Sequence, residues 1–348
     1  MKIVECRGSD KQIGLTIGEA LRDEIQANIQ GFLPADISVL DQEAAYLKAS
    51  LKKYLPGVLE QILNAAKAAN VTEQHMLALN VPVGRPDYRY DQGCSNAVFG
   101  EGPDGPIWGK NNEGAFPPTD KPIVNSKGPR PVCALKLYPE KGIPAICFTF
   151  CGWFSGADMM NAEGVATGHS SVGSKFQQSP FHVSVLHWLW AGMFIYRNVG
   201  DYVKHVTSLP LRGKGFSQIA VDAQGNMASG ELACPISQIR WPEEGEKAMN
   251  CVNHYQLPLL EGIDARRPGP LAFSKGRQKY LEGAVLDGDR SLEHMKKILI
   301  HHGDFSICRH GGKDLSHTEY SMIGLTRERK ALVAHGYPCQ TQYAEIVI

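Results

Sequence analysis

VPVGRPDYRYDQGCSNAVFGEGPDGPIWGKNNE, residues 81 to 113, divides the chain into two textures. Its first part, Val81 to Gly93, carries two prolines, two glycines and two aspartates, which break any helical period and mark a loop. Beyond it, Cys94 to Phe99 and Ile107 to Lys110 alternate as strands around the turn signal EGPDGP. Cys94 therefore opens the first strand of a hairpin, directly after Gly93.

Upstream, Ile13, Ile17, Leu21, Ile25 and Ile29 recur at helical spacing and predict an amphipathic helix over Gln12 to Ile29. Helices are also expected over Glu43 to Tyr54, Pro56 to Ala69 and Val71 to Leu79, so the first eighty residues read as largely helical. Downstream, a second hairpin pairs Val132 to Tyr138 with Ile143 to Phe150 across PEKG, and Asn161 to Ser171 reads as a turn and strand. Helices over Phe181 to Tyr196 and Gly200 to Val206 precede strands at Phe216 to Asp222, Met227 to Leu232 and Lys247 to Asn253. Two further helices, Ser274 to Val285 and Ser291 to Ile300, lead to C-terminal strands ending in YAEIVI. Strand groups joined by hairpins and set between helix groups predict an α+β protein, with antiparallel sheets covered by helices.

The totals narrow the function. Lys plus Arg and Asp plus Glu both number 36, so no net field favours nucleic acid or an anionic membrane. No signal peptide or apolar span is evident, and nine cysteines without framework spacing fit reduced thiols; the expectation is a soluble cytoplasmic protein. At 348 residues, two domains or one large layered unit would fit. No Rossmann or phosphate-cradling glycine motif appears.

A cysteine after glycine at the mouth of a strand suits self-cleavage. Gly93 tolerates strained backbone angles and adds no bulk beside its carbonyl. Attack by the Cys94 thiolate on that carbonyl gives a thioester, and water then leaves a free amino group on Cys94. Such an amine has a reference pKa of about 7.7 to 8.0 and a thiol about 8.5, so the amine can accept the thiol proton near neutral pH.

Segments along nearly the whole chain, in order, sharpen this reading: GSDKQIGLTIGEALRDEI, DQGCSNAVF, GPIWGKNNE, NAEGVATGH, CVNHYQLP, FSKGRQKYL, FSICRH and HGYPCQTQYAEIVI. Together they resemble the acyl-coenzyme A:6-aminopenicillanate acyltransferase family of N-terminal nucleophile hydrolases, with choloylglycine and bile-salt hydrolases as more distant relatives. The resemblance implies a four-layer αββα sandwich. It also implies a precursor cut between Gly93 and Cys94, residues 1–93 staying bound as a small chain beside the 94–348 catalytic core.

The same resemblance assigns roles. Cys94 is the nucleophile, and Asn253 in CVNHY falls where a side-chain amide serves the oxyanion hole. Lys110 would favour the thiolate, its plain alternative being a solvated strand-end lysine. Glu113 takes the place of a shorter carboxylate that orients the nucleophile's amino group. Asn111, Asn112, His169 and Arg277 are weaker supporting candidates, each with an ordinary structural alternative, and Cys308, Arg309 and His310 read as structural. His301, His302, Cys308 and His310 crowd ten residues, but their spacing fits no common zinc pattern, so no metal is expected.

The implied reaction is hydrolysis of a linear N-acyl amide, for example a β-alanyl amine, with no cofactor. Transfer of the acyl group to an amine, from an amide or a coenzyme A thioester, is the alternative. The expected partners are a small amide or acyl-thioester substrate and the chain's own cleaved segment, with no nucleic acid and no membrane; a homo-oligomer is left open. An uncleaved binding protein of the same fold is the reading from another class. A papain-like hydrolase would place its cysteine at a helix N-terminus, not at a strand start.

Overall fold

The computed structural model describes residues 1–81, 93–115, 131–177, 179–311 and 316–348. The loop expected after Val81 falls, from residue 82 to 92, outside the described residues. The first third of the chain supplies strand β1 (Lys2–Gly8), helices α1 (Asp10–Ala20), α2 (Arg22–Phe32), α3 (Asp41–Tyr54), α4 (Pro56–Ala68) and α5 (Glu73–Leu79), and strands β2 (Cys94–Phe99) and β3 (Ile107–Ala115). Next come β4 (Val132–Pro139), β5 (Ala145–Phe150), β6 (Met159–Asn161), β7 (Ala166–Ser171) and β8 (Val183–Ser184), then helices α6 (Val185–Gly192) and α7 (Val199–Val206). Strands β9 (Leu211–Arg212), β10 (Phe216–Val221), β11 (Met227–Leu232), β12 (Ser237–Arg240) and β13 (Ala248–Cys251) follow. The chain ends with α8 (Pro258–Glu261), α9 (Pro268–Asp287) and α10 (Leu292–Leu299), then β14 (Ser316–Leu325), β15 (Lys330–His335) and β16 (Ala344–Val347).

Two large sheets result, ordered β1-β4-β5-β6-β7-β10-β11-β12 and β13-β2-β3-β14-β15-β16. Side-chain alternation shows how they stack. Val132, Ala134, Ile146 and Phe148 of the first sheet share one apolar cluster with Val98, Trp108, Met249 and Met322 of the second, so these faces meet. The opposite face of the first sheet, through Cys133, Leu135 and Cys147, packs on α1 to α7. On the far side, Ala97, Phe99 and Ile107 pack against Leu281 of α9 and Met295 and Ile298 of α10. The order is helices, sheet, sheet, helices, the four-layer α+β fold expected.

The Gln12 to Ile29 period is carried by two helices, not one, broken at Leu21 (φ −116°). Ser9 and Gln12 form a capping box that starts α1. Gly14 and Gly18 let α4 approach closely, since a Cβ there would come 2.3 Å from Gln61 O and 2.4 Å from Ala65 O. Strand β1 went unread in the sequence; it pairs in parallel with β4, from Lys2 opposite Cys133 to Gly8 opposite Pro139. The aromatic helix expected from Phe181 begins only at Val185, because Val183 and Ser184 pair with Leu211 and Arg212, and Phe181 is exposed.

All nine cysteines are free thiols, eight of them buried. No helix among the described residues is long and apolar enough to cross a membrane. Burial holds the His187 imidazole down at about 3 and that of His254 at about 4. Each binds a proton less readily folded than unfolded, so its contribution to stability is present above about 6.5 and drains away as pH falls through those values. For His254 alone this is roughly 3 kcal/mol. Urea midpoints should therefore fall steadily from about pH 7 to about pH 4, and less so in His254→Asn; a flat profile would contradict this.

Candidate active site

Cys94 is the first residue of β2 and is 5% exposed. Because β2 and β3 are antiparallel with Cys94 opposite Asn112 and Asn96 opposite Lys110, the pleat sends Cys94, Asn96, Lys110 and Asn112 to the face between the sheets. Ser95, Asn111 and Glu113 turn towards α9 and α10. Cys94 is thus approached from both faces of its sheet.

On the inner face, Lys110 is fully buried in the middle of β3. Its Nζ lies 2.5 Å from Asp158 Oδ2 and 3.1 Å from His169 Nδ1, and His169 Nδ1 lies 2.9 Å from Asp158 Oδ1. The solvated strand-end alternative for Lys110 is thereby excluded. β3 runs on to Ala115 because β14 pairs along it, Met322 opposite Lys110 and Thr318 opposite Glu113, a distant partner that GKNNE does not announce. Burial pushes the Asp158 carboxyl up, but His169 and Lys110 outweigh it and hold the group at about 2, so it is an anion. Burial and the Lys110 charge push the His169 imidazole down, leaving it neutral near pH 7. Burial pushes the Cys94 thiol up against the downward pull of Lys110. A thiol so placed is protonated at neutral pH and needs a base.

On the outer face, Arg277 of α9 is 1% exposed and works as a clamp. Its Nη1 donates to Cys94 O at 2.7 Å and to Ser95 Oγ at 2.8 Å, and its Nη2 donates to Asn253 Oδ1 at 2.7 Å. The backbone N–H of Cys94 donates to the same Asn253 Oδ1 at 2.5 Å. Asn253 Nδ2 in turn donates to Ser171 O at 2.8 Å. Two donors on the oxygen and a carbonyl before the NH2 fix the amide's orientation. One Asn253 N–H is thus engaged by Ser171, and its carbonyl holds the Cys94 nitrogen.

Glu113 Oε2 lies 3.3 Å from Arg309 Nη1 and 3.8 Å from Arg277 Nη1, all three side chains being buried. The group surrounds Gly93: a Cβ at that residue would come 2.0 Å from Arg309 Nη1, 3.0 Å from Arg277 Nη2 and 3.0 Å from Glu113 Oε2. Only glycine fits there without moving this charged cluster. The carboxylate expected to orient the amino group is thus found against two arginines beside the residue preceding it.

Of the weaker candidates, Asn112 Oδ1 is 3.8 Å from Cys94 Sγ, and its Nδ2 donates to Glu319 Oε2 at 3.0 Å. Asn111 is not brought to the thiol. It donates to Leu299 O and Ile307 O at 2.8 and 2.9 Å, tying the end of α10 and the following loop to the sheet. Sequence reasoning missed Asp158, and it read Arg309 as structural. Nothing in SGADMM marks Asp158 as special; the unanswered charge of Lys110 in a strand was the one available signal.

No family model matches the sequence, and no curated protein matches it. Among solved structures, it is similar to penicillin V acylase from Agrobacterium tumefaciens, with 10% identity over 73% of this chain and 86% of that one and a TM-score of 0.46. A Caenorhabditis elegans N-acylethanolamine-hydrolyzing acid amidase ortholog matches with 10% identity over 67% and 93% of the two chains and a TM-score of 0.45. A mutant conjugated bile acid hydrolase from Clostridium perfringens matches with 9% identity over 73% and 92% and a TM-score of 0.45. Likenesses this slight assign no activity.

Proposed function

We propose that this chain is a self-processing amide hydrolase whose nucleophile is Cys94 with its own freed amino group as base. One observation carries the reading: the nitrogen of Cys94 is held by Asn253 and its carbonyl by Arg277, beside a buried, protonated thiol and directly after a glycine enclosed by Arg309, Arg277 and Glu113.

In processing, Cys94 Sγ forms a bond to the Gly93 carbonyl carbon, the Gly93–Cys94 C–N bond breaks, and the thiol's proton passes to the departing nitrogen. Water then adds to the thioester, releasing the Gly93 carboxylate and the thiol. Residues 1–93 and 94–348 become two chains of one folded unit. In turnover the Cys94 amine, held through an N–H by Asn253, accepts the thiol proton while Sγ attacks the substrate carbonyl. The resulting ammonium protonates the leaving amine, and the amine then activates the water that releases the acid.

The substrate class is a linear N-acyl amide. Transfer of the acyl group to a second amine is the other reading, favoured by the burial of Cys94, since a thioester kept from bulk water survives longer. A panel of N-acyl amines and acyl thioesters, including coenzyme A thioesters, should leave an acyl mass on the Cys94 peptide after rapid quenching, and the mass names the acyl half. Turnover with no adduct on Cys94 under any quench, or an adduct on another cysteine, would overturn the assignment.

A further inference from the structure

His302, Cys308, His310 and Cys339 converge although their spacing along the chain matches no familiar ligand motif. His302 follows α10, Cys308 and His310 lie in the loop leading to β14, and Cys339 sits in the turn between β15 and β16, 29 residues beyond His310. One ligand atom from each lies within 4.8 Å of every other. Cys308 Sγ is 3.6 Å from Cys339 Sγ and 3.5 Å from His310 Nε2, and Cys339 Sγ is 3.2 Å from His310 Nε2.

These three distances are the size of one face of a metal-centred tetrahedron. With Zn–S near 2.3 Å and Zn–N near 2.0 to 2.1 Å, tetrahedral angles give S···S of about 3.8 Å and S···N of about 3.6 Å. Two thiols at 3.6 Å are not bonded to each other, and a disulfide would have no use for two imidazoles. Two soft sulfurs and two imidazoles are the donor set that selects zinc over magnesium or calcium. Tyr337 stacks on the His310 ring at 3.9 Å and fixes its plane, while the exposed histidines leave the cluster open to solvent.

We infer that this cluster is a structural zinc site, closed by Cys308 and Cys339 as thiolates and His302 and His310 as neutral imidazoles. Binding releases the two thiol protons and staples the loop after α10 to the turn before β16. Arg309 lies between two of the ligands and reaches Glu113 and the space beside Gly93, so the ion braces that side of the cleavage site from outside it. The expectation of no metal was drawn from four residues in one short stretch; Cys339, remote in sequence, completes the set in place of His301. Zinc binding here does not depend on the proposed amide chemistry.

The test uses the full, untagged chain. Elemental analysis should find about one zinc per chain after dialysis, and cobalt added to stripped protein should give thiolate-to-metal charge-transfer bands with the intense visible bands of a tetrahedral site. Cys339→Ser and His302→Gln, both at exposed positions and checked for folding by circular dichroism, should each weaken zinc binding by more than the roughly 10- to 100-fold that losing an outer-shell partner costs. Zinc should also protect Cys339 from alkylation in the wild type. Stripped wild-type protein that takes up neither ion, or folded variants that bind zinc as tightly as wild type, would overturn the inference.

Discussion

Cys94→Ala is expected to fold, to remain one polypeptide, and to lose amide turnover by about 10⁴-fold or more, the scale on which removing a covalent nucleophile acts. The substitution removes one sulfur and its 3.8 Å contact with Asn112 Oδ1, while the shorter bonds of the backbone, Cys94 N to Asn253 and Cys94 O to Arg277, are both retained. Stability should therefore change little while both cleavage and turnover vanish together. Loss of one without the other would separate the two activities assigned to this atom. Turnover by the uncleaved variant at an undiminished rate would remove Cys94 from the chemistry, and an uncut wild type with intact ligand binding would favour a binding protein.

Lys110→Met should be the most destabilising change at the site. Lys110 and Asp158 are 0% and 2% exposed, so truncating the cation strands a buried anion, at a cost of about 3–5 kcal/mol. Adding Asp158→Asn should recover at least half of that loss, because an uncharged amide needs no counterion. Catalysis should not recover with it. The Lys110 charge pulls the Cys94 thiol down against the push of burial, so without it the pH dependence of turnover should move to higher pH. A double variant restored in both urea midpoint and pH profile would make Lys110 purely structural.

Much of the fold was legible because it is written in periodicity. The isoleucines of α1 and α2, the alternation of β2, β4 and β5, and the hairpin turns depend on local patterns that survive without their partners. What the sequence withheld depends on remote partners. β1 is a strand because β4 lies beside it, and β3 extends through a polar run because β14 supplies its hydrogen bonds. The same holds at the site. Cys94 was marked by Gly93 and by ordered flanking segments, and Lys110, Glu113, Asn253, Arg277 and His169 were all drawn from them. Their geometry was less legible, since the orientation of the Asn253 amide is set by Ser171 and Arg277, both remote in sequence. Asp158, Arg309 and Cys339 carry no local signature, and burial and proximity alone give them meaning.

The measurement that bears most directly on this account is the intact mass of freshly folded wild-type chain, with N-terminal sequencing of its larger component. Two fragments are expected, residues 1–93 and 94–348, the second beginning with Cys94. A single unbroken polypeptide of 348 residues under all folding conditions would contradict it.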